Sequence, residues 1–272
     1  MSQPPITQSA LVAQRFAIGI EYDGSAYNGW QIQPHAPSIQ QCLNEALSVV
    51  ADASITCTGA GRTDTGVHAT GQVAHFDSSA QRSTRSWMMG TNANLPPDIS
   101  VCWVKPVPID FHARFSAIAR SYRYVIFNRP VRSALERLYA GWVYQPLDHE
   151  RMAAAAADLV GEFDFTSFRA SSCQSHSAVR TLSDLRVSRE GDHVYIECRA
   201  NAFLHHMVRN IVGSLVRVGK HEEEISWIRE IREARDRKVS GMTAPAVGLT
   251  LTGVEFPEGA FGRIGPARDE LG

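Results

Sequence analysis

At 272 residues, with 44% apolar and 20% charged side chains, the chain has room for one large or two ordinary domains and the make-up of a globular protein in water. Lys and Arg number 27 against 28 Asp and Glu, so the net charge of −1 rules out a globally basic nucleic-acid binder, and any basic surface has to be local. Five scattered cysteines with no C-x-x-C argue against a disulfide framework or a cysteine zinc site, and no run of about 18 apolar residues or signal-peptide start is present, so a soluble, cytoplasmic protein without a membrane segment is expected.

In chain order, residues 1–14 are polar and Pro-containing, as a loose tail would be. Residues 15–22 (RFAIGIEY) alternate as a strand does, and Asp23-Gly24-Ser25 turns it. Ser38 and Gln41 have capping-box spacing ahead of Ile39, Leu43, Leu47 and Val50, which predicts a helix. A short β-branched strand over 55–58 then leads into GAGRTDTGVHATGQVAHF (59–76), the densest stretch of the chain. Here glycines flank Asp64, with Arg62 two residues before it, and 72–76 reads as a strand. Two readings stand side by side: a turn whose Asp and Thr cap their own backbone, or a carboxylate offered on a tight loop.

Residues 78–86, with Arg82 and Arg85, read as a polar connection, 92–98 as loop, and 101–104 as a strand. Between 111 and 137, arginines 114, 120, 123, 129, 132 and 137 face only Glu136 and are interleaved with Phe111, Phe115, Tyr122, Tyr124 and Phe127. Around Tyr122 the period is two, so Tyr122, Tyr124 and Ile126 share a strand face. Such a segment is a half-buried strand with arginine on its solvated side, or an RNA-binding surface working by phosphate contact and base stacking.

Residues 148–159 predict a helix with an Asp cap and a Gly161 stop, and 162–180 a Ser-rich surface loop anchored by Phe165 and Phe168. A hairpin over 181–200 turns at 189–192. A helix from about 202 to 218 presents Phe203, Leu204, Met207, Val208, Ile211, Leu215 and Val218 to the core, with His205 and Arg209 one turn apart on the far side. As helix neighbours, His205 and His206 could not both face one metal, so no metal site is expected there. A charged amphipathic helix over 222–237 and a closing strand over 248–256 complete the chain. The pattern is α+β: two similar α/β halves, 15–117 and 118–272, with a mixed, mainly antiparallel sheet flanked by helices.

The chemistry is bounded by what is missing. There is no Walker loop, no G-x-G-x-x-G opening a helix, no H-E-x-x-H and no G-x-S-x-G. Asp64-Thr65-Gly66 spells the aspartic-protease tripeptide, but a proton-sharing dyad needs a second such aspartate, no second D-T-G or D-S-G exists, and Arg62 would oppose the sharing.

GRTDTGVHATGQVAHF resembles the catalytic motif of TruA-type tRNA pseudouridine synthases. So, in order along residues 16–256, do EYDGSAYNGWQIQP, NANLPPDI, FHARFSAIARSYRYVI, DFTSFRASSCQS, NAFLHHMVRNIVGSL and GLTLTGVEF. The resemblance implies a pseudouridine-synthase fold and isomerisation of uridine to pseudouridine at positions 38 to 40 of the tRNA anticodon stem-loop, without cofactor or metal, by a homodimer with tRNA as partner. It implies that Asp64 is the nucleophile, that Tyr122 stacks on the target base, that Arg209 pairs with the carboxylate and that Arg62 helps push the base out of the stack. It implies RNA contacts from Arg62, Arg82, the 111–115 segment (Phe111, His112, Ala113, Arg114, Phe115) and the 172–176 loop (Ser172, Cys173, Gln174, Ser175, His176). The roles are physically coherent, since a nucleophilic carboxylate must stay ionised, which a guanidinium favours, and a base must leave its stack before its glycosidic bond is handled. Thr65 stands where the family usually has alanine, and His176 where many members have arginine. The alternative from another class is a catalytically silent tRNA-binding and folding protein. It would have no need of a carboxylate facing the uridine.

Overall fold

The computed structural model describes residues 13–173 and 175–260, and the tail expected over 1–14 lies outside these except for its last two residues. Strand β1 (Gln14–Tyr22) buries Phe16, Ala17, Ile18, Ile20 and Tyr22, a near-continuous apolar run that suits a central strand covered on both faces. It pairs antiparallel with β3 (His68–Ser78) on one side and β4 (Ile99–Val107) on the other. Helix α1 (Ile39–Ala51) begins where the sequence places it, with the Ser38 hydroxyl accepting from the Gln41 amide at 3.4 Å. The Gln41 side chain instead donates to Glu45, so the box is only half closed. The strand expected over 55–58 shrinks to β2 (Thr58–Gly59), because the Cys57 amide is held by the Asn44 side chain rather than by a neighbouring strand.

Residues 78–98 require a correction. Helix α2 (Thr84–Asn94) spans residues 87–91, for which the sequence suggests no element, and takes in the end of what reads as a polar connection and the start of what reads as a loop. Only Trp87 and Thr91 are buried on it, one turn apart, and Gly90 interrupts it. Ser83 caps it by accepting from the Ser86 amide at 3.0 Å. Trp87 packs against the stacked pair Phe16 and Phe76, and Asn92 exchanges two hydrogen bonds with the Val101 backbone of β4, which fixes the helix on the sheet.

In the second half come β5 (Ala119–Asn128), β6 (Gly141–Val143), α3 (His149–Ala156), β7 (Gly161–Asp164), β8 (Val179–Glu190), β9 (His193–Ala200), α4 (Met207–Gly219), α5 (Trp227–Ala234) and β10 (Leu249–Glu255). Asp148 caps α3 as expected. Phe165 and Phe168 are fully buried, anchoring the Ser-rich segment. Two helices are shorter than their patterns suggest. α4 starts at Met207 rather than near 202, and α5 covers only the centre of 222–237, where Ile228 and Ile231 are buried.

Among the described residues ten strands form one sheet, ordered β4-β1-β3-β10-β5-β9-β8-β7, with β2 against β3 and β6 against β5. Pairing is antiparallel except for β3/β10 and β5/β6, the mixed, mainly antiparallel α+β arrangement expected. Helices α1 and α2 pack together beside β4, and α3 packs on β8 and α4. Among the described residues no helix is long and apolar enough to cross a membrane. The placement of β10 matters most for the site. The last strand of the chain inserts between β3 and β5, with Leu251 opposite both Ala69 and Tyr122. The loop before β3, which carries Asp64, is thereby brought beside the start of β5 and the end of β9.

Candidate active site

The Asp64 loop is held from three sides. The Val67 amide donates to the Asp64 carbonyl at 3.1 Å, closing a tight turn whose third residue, Gly66, has φ +77°, a backbone that favours glycine. Gly29, at φ +88°, lets the neighbouring loop approach so closely that a Cβ there would lie 2.4 Å from the Thr63 carbonyl. Beneath, the buried Tyr22 hydroxyl meets the Thr63 hydroxyl at 2.8 Å, and Gln72 donates to the Gly61 carbonyl at 2.9 Å. Burial pushes the Tyr22 phenol up to about 12, so this contact is between neutral groups at ordinary pH. The Thr63 side chain is thus spent on supporting the loop, while Arg62, Asp64 and Thr65 line a cleft.

The Asp64 carboxylate meets three groups, two from the approach to α4 and one from its first turn. Arg209 Nη1 donates to Oδ2 at 3.1 Å, His205 Nε2 lies 3.4 Å from Oδ1, and His206 Nε2 lies 3.5 Å from Oδ2. Arg209 is itself braced, since its Nε donates to the Ala244 carbonyl at 2.8 Å and its own carbonyl accepts from the Ala244 amide at 3.0 Å. Next to it in the chain, buried Asn210 ties Phe168, Arg237 and Thr243 together. Arg209 is therefore not on a solvated helix face.

The reading of His205 and His206 as helix neighbours is corrected here. α4 has not begun at these residues, and His206 takes φ +62°, a left-handed conformation rare for histidine. This bend sets the two rings 4.0 Å apart, and one donor atom from each ring and from Asp64 all lie within 4.8 Å of one another. Burial lowers the His206 pKa, against the pull of Asp64. Neither histidine was among the expected site residues. The HH pair was visible in the sequence, but only the backbone kink shows that both rings turn to one side.

Around the carboxylate is a cleft of about 990 Å³. Of the expected residues it brings together Asp64, Arg62, Tyr122, Arg209, Arg114, Ser172, Cys173, Ser175 and His176. Gln174 lies outside the described residues. Tyr122 is nearly buried, its ring set edge-on to Phe203 at 5.0 Å, and burial, with Tyr22 and Asp64 nearby, raises its phenol pKa so that it stays protonated. Arg62 is exposed beside it. Arg82 is not in this group. It lies at the start of α2, exposed, with its guanidinium on the Val50 carbonyl of α1. Phe111 and Ala113 are buried in the core, so a contact with RNA from that segment falls to half-buried His112, to exposed Arg114 and Phe115, and to backbone groups.

Two further cleft arginines went unassigned in the sequence. Arg180 holds the Ser-rich loop through Ser175 Oγ and the Ser177 carbonyl. Arg120, one of the arginines read as lying on a solvated strand face or an RNA-binding surface, is buried and donates to four backbone carbonyls. Among the described residues lining the cleft, Asp64 is the one acid against arginines 62, 114, 120, 180 and 209. A chain of net charge −1 thus concentrates positive charge where a polyanion would lie.

The 111–115 segment is braced by a buried histidine. His75 Nδ1 accepts from the Ala113 amide at 3.1 Å, with Arg15, Asp77 and His112 around it, and burial, reinforced by Arg15, lowers its pKa to about 4. In the unfolded chain the ordinary value is about 6.5. The unfolded state therefore binds the proton first on acidification, so this stability is complete above pH 6.5 and is lost as pH falls towards 4. Chemical denaturation is expected to lose ~2 kcal/mol through this group between pH 7 and 4.5, and His75→Gln to flatten the pH dependence over that range. An unchanged slope in the variant would remove His75 from the account.

A family model described as tRNA pseudouridine synthase matches residues 18–116 and 155–257. A protein of Hydrogenovibrio crunogenus named tRNA pseudouridine synthase A is 56% identical over 242 residues, covering 89% of this chain and 92% of that protein. Proteins of the same name from Escherichia coli and Shigella boydii are 53% identical over 251 residues, 92% of this chain and 93% of theirs. With both halves of the chain matched and such identity along nearly its whole length, this chain belongs to the tRNA pseudouridine synthase family.

Proposed function

We propose that this protein isomerises uridine to pseudouridine in the anticodon stem-loop of tRNA, at positions 38 to 40, with Asp64 as the nucleophile. The observation that carries the reading is one ionisable carboxylate, clamped by Arg209, in a cleft otherwise lined by arginines, in a chain of this family. The reaction breaks the N1–C1′ bond and forms C5–C1′, while a proton leaves C5 and one is gained at N1. Substrate and product are isomers, so nothing else is consumed. The protein's task is to extract the base, hold the carboxylate in line and steady the charge that develops.

Arg62 at the cleft mouth suits displacement of the base, and the Tyr122 ring suits stacking on it once extruded. Arg114 and the loop of Ser172, Cys173, Ser175 and His176 suit the tRNA backbone. The homodimer implied by the resemblance forms part of this proposal, since a tRNA lying across two copies meets patched rather than global charge. The silent tRNA-binding alternative is not favoured, because it leaves the clamped carboxylate without a task.

The test is pseudouridine mapping by carbodiimide labelling and primer extension on an unmodified tRNA with uridines in the anticodon arm. Stops at those uridines are expected, and bound tRNA without stops would favour the silent binder. Arg209→Lys is expected to lower the single-turnover rate about 100-fold with little change in tRNA affinity. The guanidinium donates to the Ala244 carbonyl and to Asp64 from two separate nitrogens, a span that an ammonium, with all its donors on one nitrogen, does not reproduce. A rate within threefold of wild type would show that the fork geometry is not used.

A further inference from the structure

We propose that the same cleft takes a soft divalent transition-metal ion, Zn²⁺ being the reference case, on Asp64, His205 and His206, and that its binding switches the enzyme off. The switch rests on the reading of Asp64 as nucleophile; the site itself rests on geometry alone. Zinc bonds of about 2.0–2.1 Å in a tetrahedron put ligand atoms about 3.4 Å apart. His205 Nε2 stands 3.4 Å from Asp64 Oδ1 and His206 Nε2 3.5 Å from Oδ2, and one donor atom from each of the three residues lies within 4.8 Å of the others, so a small turn of the His206 ring brings both imidazoles onto an ion at Oδ1. Two imidazoles and one carboxylate form a donor set for zinc, copper or nickel, with a fourth position left to water.

The approach to α4 is shaped for it. The left-handed turn at His206 points adjacent rings to one side, which a helix could not do. His205 Nδ1 lies 3.3 Å from the Ser172 hydroxyl, the kind of outer partner that orients a ligand imidazole and leaves Nε2 for the metal. The opposing charge is Arg209, 3.1 Å from Asp64 Oδ2 and held in place by the Ala244 carbonyl. It leaves Oδ1, on the His205 side, as the available oxygen. It also makes the ion an inhibitor and not a resident group, because a metal on that carboxylate takes the lone pairs needed for the reaction. Mg²⁺ and Ca²⁺, which want six or more oxygen ligands, find one carboxylate here and are excluded.

The test is calorimetric titration of metal-free, full-length protein with Zn²⁺ in a Mg²⁺ buffer, together with Co²⁺ titration read by visible absorption. One ion per chain is expected, with the absorption of four-coordinate cobalt. His205→Gln and His206→Gln are each expected to weaken binding at least about tenfold, and the double variant and Asp64→Asn to lose it, with thermal melts showing that each variant is folded. Cys173→Ser, which removes the cleft thiol, should bind as wild type does. Zn²⁺ should stop pseudouridine formation over the concentration range in which it binds, and a chelator should restore it. Binding retained by the double variant, or no binding below about 1 mM, overturns the site. Full occupancy with undiminished activity overturns the switch. Failure of the proposed function is distinguishable, because metal-free protein would then make no pseudouridine while the calorimetry still read the site.

Discussion

Asp64→Ala is expected to reduce pseudouridine formation to below about 10⁻⁴ of the wild-type rate while leaving tRNA affinity within severalfold. The two halves of this expectation have separate causes. The carboxylate is the one acid among the described cleft residues, and Arg209, His205 and His206 all converge on it, so no neighbour can take over as nucleophile. Affinity comes instead from arginines spread along the cleft and from polar loops, since phosphate contacts carry most of the binding free energy. Asp64→Asn is the sharper variant. It keeps the shape and the hydrogen-bond acceptor for Arg209 but loses the charge, so it should be as inactive as alanine. Single-turnover mapping with a filter-binding titration on both variants decides the matter. Residual turnover of a few per cent in either would remove the nucleophile role. Equal loss of rate and affinity would instead make Asp64 a binding residue.

The parts of this architecture legible in the sequence are those where one local signal suffices. Period-two apolar runs located β1, the β8–β9 hairpin and β10, and side-chain caps located α1 and α3. The glycines around Asp64 announced a tight loop because a φ such as that of Gly66 favours glycine. What stayed hidden depends on distant partners. Helix α2 needs only Trp87 and Thr91 in the core because Asn92 pins it to β4, so its sequence lacks an apolar stripe. The apolar pattern of α4 runs on through Phe203 and Leu204, which are not helical but pack on Tyr122 and the core, so its start was read early. Arg82 and Arg114 look alike in the chain, but only Arg114 reaches the cleft. That difference follows from where α2 and the 111–115 segment lie on the sheet.

Arg120 is the extreme of this kind, and it yields the largest expected effect on stability. Arg120→Met should cost about 3–5 kcal/mol in chemical denaturation of the protein without RNA. Nη1 donates to the carbonyls of Ala117 at 3.0 Å and Asn201 at 2.9 Å, and Nη2 to those of Ala60 at 2.9 Å and Arg114 at 2.7 Å. One side chain thereby joins the entry to β5, the exit from β9, the strand end before the Asp64 loop and the 111–115 segment. Burial lowers its pKa, yet the guanidinium stays charged and answers to carbonyl dipoles alone. Methionine fills the volume but leaves four carbonyls without this donor, one in a buried bond and three in part-buried ones that water can partly satisfy, so the loss stays below the full sum of about 1–3 kcal/mol for each. Arg120→Lys keeps the charge but offers three donors from one point in place of a planar fork, so it should fall between the two, near 2 kcal/mol. Because the knot holds the Asp64 loop against the residues leading to His205 and Arg209, activity should fall more steeply than stability in both variants. The opposite reading is that Arg120, which lines the cleft, serves mainly as a phosphate contact. It would then show an unchanged denaturation midpoint, weaker tRNA binding and a salt dependence of affinity lower by about one unit of slope. The denaturation midpoint of Arg120→Met, measured without tRNA, separates a residue that assembles the site from one that touches the substrate.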